Sequence, residues 1–261
     1  MFKDIIIDIA YGLYNLTARP LEPSVVLPSD PMGALNAYFD QVWVLTIPRN
    51  TKRQEYIRRE LSGLRFDFFT GVDGAGIADD DPRILPSEAE ARYGRPLKKN
   101  EFACTLSHLE MFKAMVERGV RRALIFEDDA AFLKSRGKWI PYCLSRLPAD
   151  WELFYLGYRD GELRGFLRGW QERLGRPRDE AEVVSRPVGR GIRTAAGHDF
   201  THAYAITLEG ARKILDGAYP TPFTADGLLE EKVLSRKIRA YISVPKIFVQ
   251  LEELGSSIHS G

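Results

Sequence analysis

Ala123-Leu124-Ile125-Phe126-Glu127-Asp128-Asp129 is an apolar run of strand length that ends abruptly in three consecutive carboxylates. Strands buried on both faces read as unbroken apolar runs, and ligands in open α/β sheets gather at the C-terminal ends of strands. Three acids at such an end repel one another unless a cation, or a metal carried by a phosphate group, neutralises them. Carboxylate oxygens are hard ligands, and the ions they suit beside a nucleotide diphosphate are Mg²⁺ and Mn²⁺. An isolated acidic triplet is also an ordinary solvated turn. The buried strand directly before this one favours the metal.

Composition sets the frame. A chain of 261 residues holds one large α/β domain, or one domain with attachments. Apolar residues make up 44% and charged residues 28%, the balance of an ordinary globular protein. The net charge of +1, from 37 basic and 36 acidic residues, gives no electrostatic footprint for nucleic acid. Cys104 and Cys143 make neither a disulfide framework nor a metal knuckle, and reduced thiols in a cytoplasmic protein are the simplest reading. The N-terminal apolar run is too short and too acidic for a signal peptide, and no stretch reaches the roughly 20 apolar residues that span a bilayer. Residues 5–16 leave open a peripheral association at the inner face of a membrane.

Residues 1–40 contain Pro20, Pro23, Pro28 and Pro31 with no clean period, and read as a short N-terminal element followed by an extended arm. The pattern from 41 to 261 reads as one domain. Val42-Trp43-Val44-Leu45-Thr46-Ile47 is a buried strand, and Thr51 with Gln54 has capping-box spacing for a helix that stops near Gly63. A second short strand is expected at 66–69, then a turn at 71–74. Asn100 is placed to cap a helix to about 118. On it Phe102, Leu106, Leu109, Phe112 and Val116 form one apolar face, and Cys104, Met111 and Met115 lie on the other side. The remaining charged stripe of Glu110, Lys113 and Glu117 is narrow, so that helix is expected to be covered on two sides. Further strands are expected near 153–156, 203–206, 240–244 and 247–249, with helices near 208–217 and 226–237. Strands alternating with helices imply an α/β fold with a mostly parallel sheet. Residues 159–193 stand apart, with nine arginines, six acids, six glycines and no lysine. They read as an irregular loop whose guanidinium forks suit phosphate or carboxylate.

Seven blocks in order resemble glycosyltransferase family 25, the group of lipopolysaccharide-biosynthesis and procollagen galactosyltransferase-like proteins. They open with Val44-Leu45-Thr46-Ile47-Pro48-Arg49 and Arg53, then Phe68-Phe69-Thr70-Gly71-Val72-Asp73-Gly74, where Gly71 replaces the alanine the family pattern favours. Asn100-Glu101-Phe102-Ala103-Cys104-Thr105-Leu106-Ser107-His108 and Leu124-Ile125-Phe126-Glu127-Asp128-Asp129 follow. The last three are Ala203-Tyr204-Ala205-Ile206-Thr207, Pro222-Phe223-Thr224-Ala225-Asp226, and Val244-Pro245 through Gln250 and Ser257. The likeness covers residues 42–258. Residues 1–40 and the 159–193 loop fall outside it.

That resemblance implies a GT-A-like fold and an inverting, metal-dependent transfer of a hexose, most often galactose, from a UDP-sugar to a saccharide or glycolipid acceptor. It also implies a place in lipopolysaccharide or related glycan biosynthesis. Asp129 is then the leading metal ligand, with Asp128 assisting it or bonding the ribose, and Mn²⁺ or Mg²⁺ as the ion. His202 and His259 are candidates for one more ligand. Arg49, Arg53, Asp73, Ser107 and His108 fall on the donor side, with His108 expected to hydrogen-bond either the acidic loop or the donor. A surface salt bridge with Glu55 or Glu60 is the plainer reading of the two arginines, a local turn that of Asp73, and a packed core histidine that of His108. Asp226 is the candidate base, in a position that also suits a helix N-cap, with Glu230 and Glu231 as substitutes. Glu127 is the second catalytic acid, orienting the turn or a neighbouring base. Two other readings stand beside this one. A nucleotidyl- or phosphoryl-transferase lacks its Gly-x-x-x-x-Gly-Lys-[Ser/Thr] loop, and a non-catalytic scaffold has little reason to keep three adjacent acids.

Overall fold

The computed structural model describes residues 12–159, 185–196 and 198–251. Its centre is the pairing of β1 (Gln41–Thr46) with β3 (Arg122–Glu127), parallel and in register from Gln41 with Ala123 to Leu45 with Glu127. Side chains alternate across a strand, so each strand feeds two cores. Trp43, Leu45, Ala123 and Ile125 enter one, and Val42, Val44, Leu124 and Phe126 the other. Helices α4 (Lys99–Arg118), α6 (Leu208–Leu215) and α7 (Ala225–Leu234) cover the first face. Helices α1 (Pro31–Tyr38), α2 (Thr51–Glu60) and α5 (Trp139–Leu144) cover the second. Burial on both faces is the reason the two strands read as continuous apolar runs.

The other strands are β2 (Asp67–Thr70), β4 (Ala130–Phe132), β5 (Leu153–Arg159), β6 (Pro187–Gly189), β7 (Ile192–Thr194), β8 (Asp199–Thr207), β9 (Ala240–Ser243) and β10 (Phe248–Gln250). Their order is β2-β1-β3-β8-β5-β9-β7-β6, with β10 beside β5 and β4 beside β10. Seven of these ten strands run one way; β4, β7 and β8 run against them. The α/β class and the mostly parallel sheet flanked by helices are therefore as the sequence pattern expects.

Several expectations are corrected. The arm is not extended throughout, because α1 lies within it and packs Ala34, Leu35 and Tyr38 into the second core. Asp30 caps that helix by accepting from the Gly33 amide at 2.6 Å, and Pro31 opens it. Residues 12–30 also belong to this body: Asn15 donates to Val244 O at 3.0 Å and accepts from the Gly191 amide at 2.8 Å. The Arg-rich segment is not irregular to its end, since β6 and β7 form a hairpin that β7 joins to β9, with Gly191 at φ +79 in the turn. Residues 160–184 lie outside the described chain. The Thr51–Gln54 capping box is absent, because the Gln54 amide reaches back to Ile47 O at 3.2 Å. Asn100 is not a cap either: α4 starts one residue earlier, and Glu101 accepts from the Lys98 amide at 2.9 Å. α3 (Pro86–Tyr93), which no periodicity announced, buries only Ala89.

Gly157 in β5 sits where the register with β8 shifts, and a Cβ there would overlap His202 Nε2 and lie 3.0 Å from Phe248 O. Gly76, by contrast, opens onto space. Gly157→Ala should therefore cost about 1–3 kcal/mol in urea denaturation, and Gly76→Ala much less. Equal effects would mean that β5, β8 and β10 do not meet this closely.

Candidate active site

The C-terminal ends of β1 and β3 open into a narrow cleft of about 90 Å³, floored by the acidic triplet. Its walls are Thr46, Asn50 and Arg53 beyond β1, the Gly71–Gly74 loop after β2, one side of α4, and Gln250 from β10. A wider groove at the opposite ends of β1 and β2, lined by Asn36, Asp40, Arg58 and Arg65, gathers no buried charge.

Each acid has a distinct surrounding. Asp128, 4% exposed, is held at both oxygens: Arg53 Nη1 donates to Oδ1 at 2.7 Å, and Thr46 Oγ1 and Asn50 Nδ2 donate to Oδ2 at 2.6 and 3.3 Å. Asp129, equally buried, has Oδ2 3.1 Å from Gln250 Nε2 and 3.4 Å from Arg53 Nη1. Asp129 Oδ1 is buried with no hydrogen-bond partner among the described residues. One guanidinium thus faces two carboxylates. Burial pushes the Asp129 pKa up to about 7, and the nearby Glu127 and Asp128 charges add to this against Arg53 and Gln250.

Burial would also raise Glu127, but its polar neighbours outweigh it and hold this carboxyl below its ordinary range. His108 is the first of these, with Nε2 facing Oε1 at 3.6 Å, and the Thr201 hydroxyl donates to Oε1 at 2.5 Å. His108 Nδ1 lies 2.7 Å from the Tyr204 hydroxyl. Helical geometry separates Ser107 from His108, as the spacing requires. Ser107 Oγ donates to Ala103 O at 2.6 Å and accepts from the Val72 amide at 2.8 Å, tying α4 to the loop after β2.

Other expected residues are placed as follows. Arg53 pairs with Asp128 and Asp129 rather than with Glu55 or Glu60, because α2 starts just beyond β1 and presents its first turn to the acids. Arg49 pairs with Asp73 at the mouth, and Asp73 also caps the short 3₁₀ turn Gly74–Gly76 through the Ala75 amide. Asp226 is not an N-cap. Thr224 caps α7 by accepting from the Gly227 amide at 3.2 Å, and Asp226 is the second residue of the helix. It does not line the cleft, though its charge is felt at Cys104 on the cleft wall. The Cys104 thiol is pushed well up, by burial first and then by Glu127, Asp226, Asp129 and Asp128. Burial lowers His202 to about 4, and its Nε2 faces Phe248 O at 3.4 Å on the β10 side. His259 and Ser257 lie outside the described residues.

Sequence reasoning passed over Thr46, Asn50, Thr201 and Tyr204 as site residues. Thr46 and Asn50 flank the quoted Ile47-Pro48-Arg49 turn, a signal that was available. A buried oxygen without a partner, on an acid that keeps its proton to about neutral pH, fits a divalent cation. Asp128, saturated by three donors, fits a ligand only if Arg53 moves away.

Comparison with known proteins follows this geometry. Residues 39–229 match the family model described as glycosyltransferase family 25 (LPS biosynthesis protein). A Danio rerio protein named procollagen galactosyltransferase 1 is 29% identical over 209 residues, 75% of this chain and 32% of that protein. A Homo sapiens protein named inactive glycosyltransferase 25 family member 3 is 32% identical over 192 residues, 68% of this chain and 29% of its own length. The chain thus spans about a third of the length of the curated relatives it matches. A solved glycosyltransferase involved in glycosylation of the PBCV-1 major capsid aligns at 10% identity and TM-score 0.39, covering 84% of this chain and 94% of its own.

The folded protein holds the Asp129 proton more tightly than the unfolded chain does. That stabilisation is complete below pH 4 and is lost as pH rises through about 7. In chelator-treated protein, Asp129→Asn should therefore gain stability on wild type between pH 4 and 7, by on the order of 2–4 kcal/mol. Denaturation curves that stay parallel across that range would contradict the raised pKa.

Proposed function

The chain belongs to glycosyltransferase family 25, and on that premise we propose that it transfers a hexose, galactose first among candidates, from a UDP-sugar to an acceptor hydroxyl. The observation that carries this reading is the partnerless Asp129 Oδ1 at the floor of the cleft beyond β1 and β3. Asp129, with Asp128 beside it, would hold Mn²⁺ or Mg²⁺, which when bound neutralises the diphosphate leaving group.

The chain's own residues supply the rest. Arg53 exchanges a carboxylate for a phosphate oxygen, the bidentate partner its guanidinium suits. Arg49 and Asp73 stand at the mouth, where the nucleotide enters. Gln250 and Thr46 keep Asp129 and Asp128 aimed while the charges change hands. Asp226, half-buried at the start of α7, receives the acceptor proton. Glu127 orients the acceptor side, since the His108 ring nearby and the Thr201 bond hold its carboxyl low and make it a weak base. Inversion follows from one direct displacement. The acceptor is a saccharide or glycolipid of the lipopolysaccharide type named in the family's description.

A second reading is a chain that keeps the donor cleft without turnover, favoured by the 32% identical relative whose name says it is inactive. The test is incubation of the full chain with Mn²⁺ and a panel of UDP-sugars, with and without oligosaccharide acceptors. Metal-dependent release of one sugar is expected, with Asp226→Asn lowering kcat by about 10²–10⁴ while UDP affinity stays near wild type. UDP binding with no turnover of any donor would select the second reading.

A further inference from the structure

Next to the acidic pair, the cleft holds a chemically different set of donors. Cys104 and His108 are four residues apart on α4, so they share a face one turn apart, and Glu127 meets them from the end of β3. The Cys104 sulfur, a His108 ring nitrogen and a Glu127 carboxylate oxygen all lie within 4.8 Å of one another. His108 is 2% exposed, and its Nε2 makes no hydrogen bond.

At 3.6 Å from Glu127 Oε1, that nitrogen is beyond hydrogen-bond reach, at a separation that two ligands of one tetrahedral ion take up. A cation between them would give the buried nitrogen a partner. The outer contacts already have the form that metal ligands require. His108 Nδ1 is 2.7 Å from the Tyr204 hydroxyl, which fixes the ring, and Thr201 donates to Glu127 Oε1.

We propose that Cys104, His108 and Glu127 form a binding site for a borderline divalent ion of the Zn²⁺ type, with a fourth position open to the cleft. Sulfur, imidazole and carboxylate donors select such an ion, whereas the all-oxygen surroundings of Asp129 select Mg²⁺ or Mn²⁺. Binding releases the Cys104 proton to solvent, and neither Asp128 nor Asp129 takes part. The site stands whether or not the chain transfers sugar.

The test uses the full chain, stripped of metal and titrated with Co²⁺ in the absence of nucleotide. One equivalent should bind with a near-ultraviolet thiolate-to-cobalt charge-transfer band that equimolar Zn²⁺ abolishes. The band should vanish in Cys104→Ser and His108→Gln and persist in Asp129→Asn, with circular dichroism showing each variant folded. X-ray absorption on the zinc-loaded wild type should find one sulfur at about 2.3 Å, a reading that needs no variant to fold. Cobalt uptake without the band, a band that survives Cys104→Ser, a zinc shell without sulfur, or no uptake at all would overturn the proposal.

Discussion

Three carboxylates on consecutive residues at the end of a fully buried strand concentrate more negative charge than one neighbouring guanidinium offsets. Burying an ionised carboxylate is costly unless it is paired and hydrogen-bonded, so every element around this strand end contributes a donor. β1 sends Thr46, the turn after it Asn50, α2 Arg53, β8 Thr201 and β10 Gln250, while α4 sets His108 3.6 Å from Glu127. The arrangement satisfies Asp128 and Glu127 but leaves one oxygen of Asp129 without a partner. In the proposed reading, a cation fills that residual deficit and a diphosphate binds with it.

The fold supplies this convergence through double coverage of the sheet. Because β1 and β3 are buried on both faces, their C-terminal ends are the places where charge can leave the core, and they lie side by side in register. α4 runs along the first face with twelve of its twenty residues buried, so its helical period brings Cys104 and Ser107 to the cleft and sets His108 beside Glu127 from within the packed layer. Antiparallel β8 passes beside β3 and carries Thr201 and Tyr204 to the same end. Rigid elements rather than loops therefore hold most of the donors.

What the sequence disclosed follows the range of the interactions. The runs 42–47 and 123–126, the amphipathic period of 102–116 and the glycine stops at 63 and 119 are local, and the structure has them where the pattern places them. α1 was legible too, in the Asp30-Pro31 pair, but the four prolines around it read as an arm. Cap assignments at Thr51, Asn100 and Asp226 failed because several polar residues compete at each helix start, and packing decides which one turns inward. The partners of the acids were not legible. Arg53 and Asp128 are 75 residues apart, and Gln250 is 121 from Asp129. No local period encodes such pairings, and only the strand order brings them together.

In the proposed function, Asp129 makes metal and nucleotide binding interdependent. The most direct measurement is thermal melting of the full chain with UDP alone, Mn²⁺ alone and both together. Either ligand alone should shift the midpoint little, and the pair together by far more than the sum, since saturation at 100 times the dissociation constant adds about 2.7 kcal/mol. Shifts that merely add, or no shift with both present, would contradict a shared metal–diphosphate site at the acidic triplet.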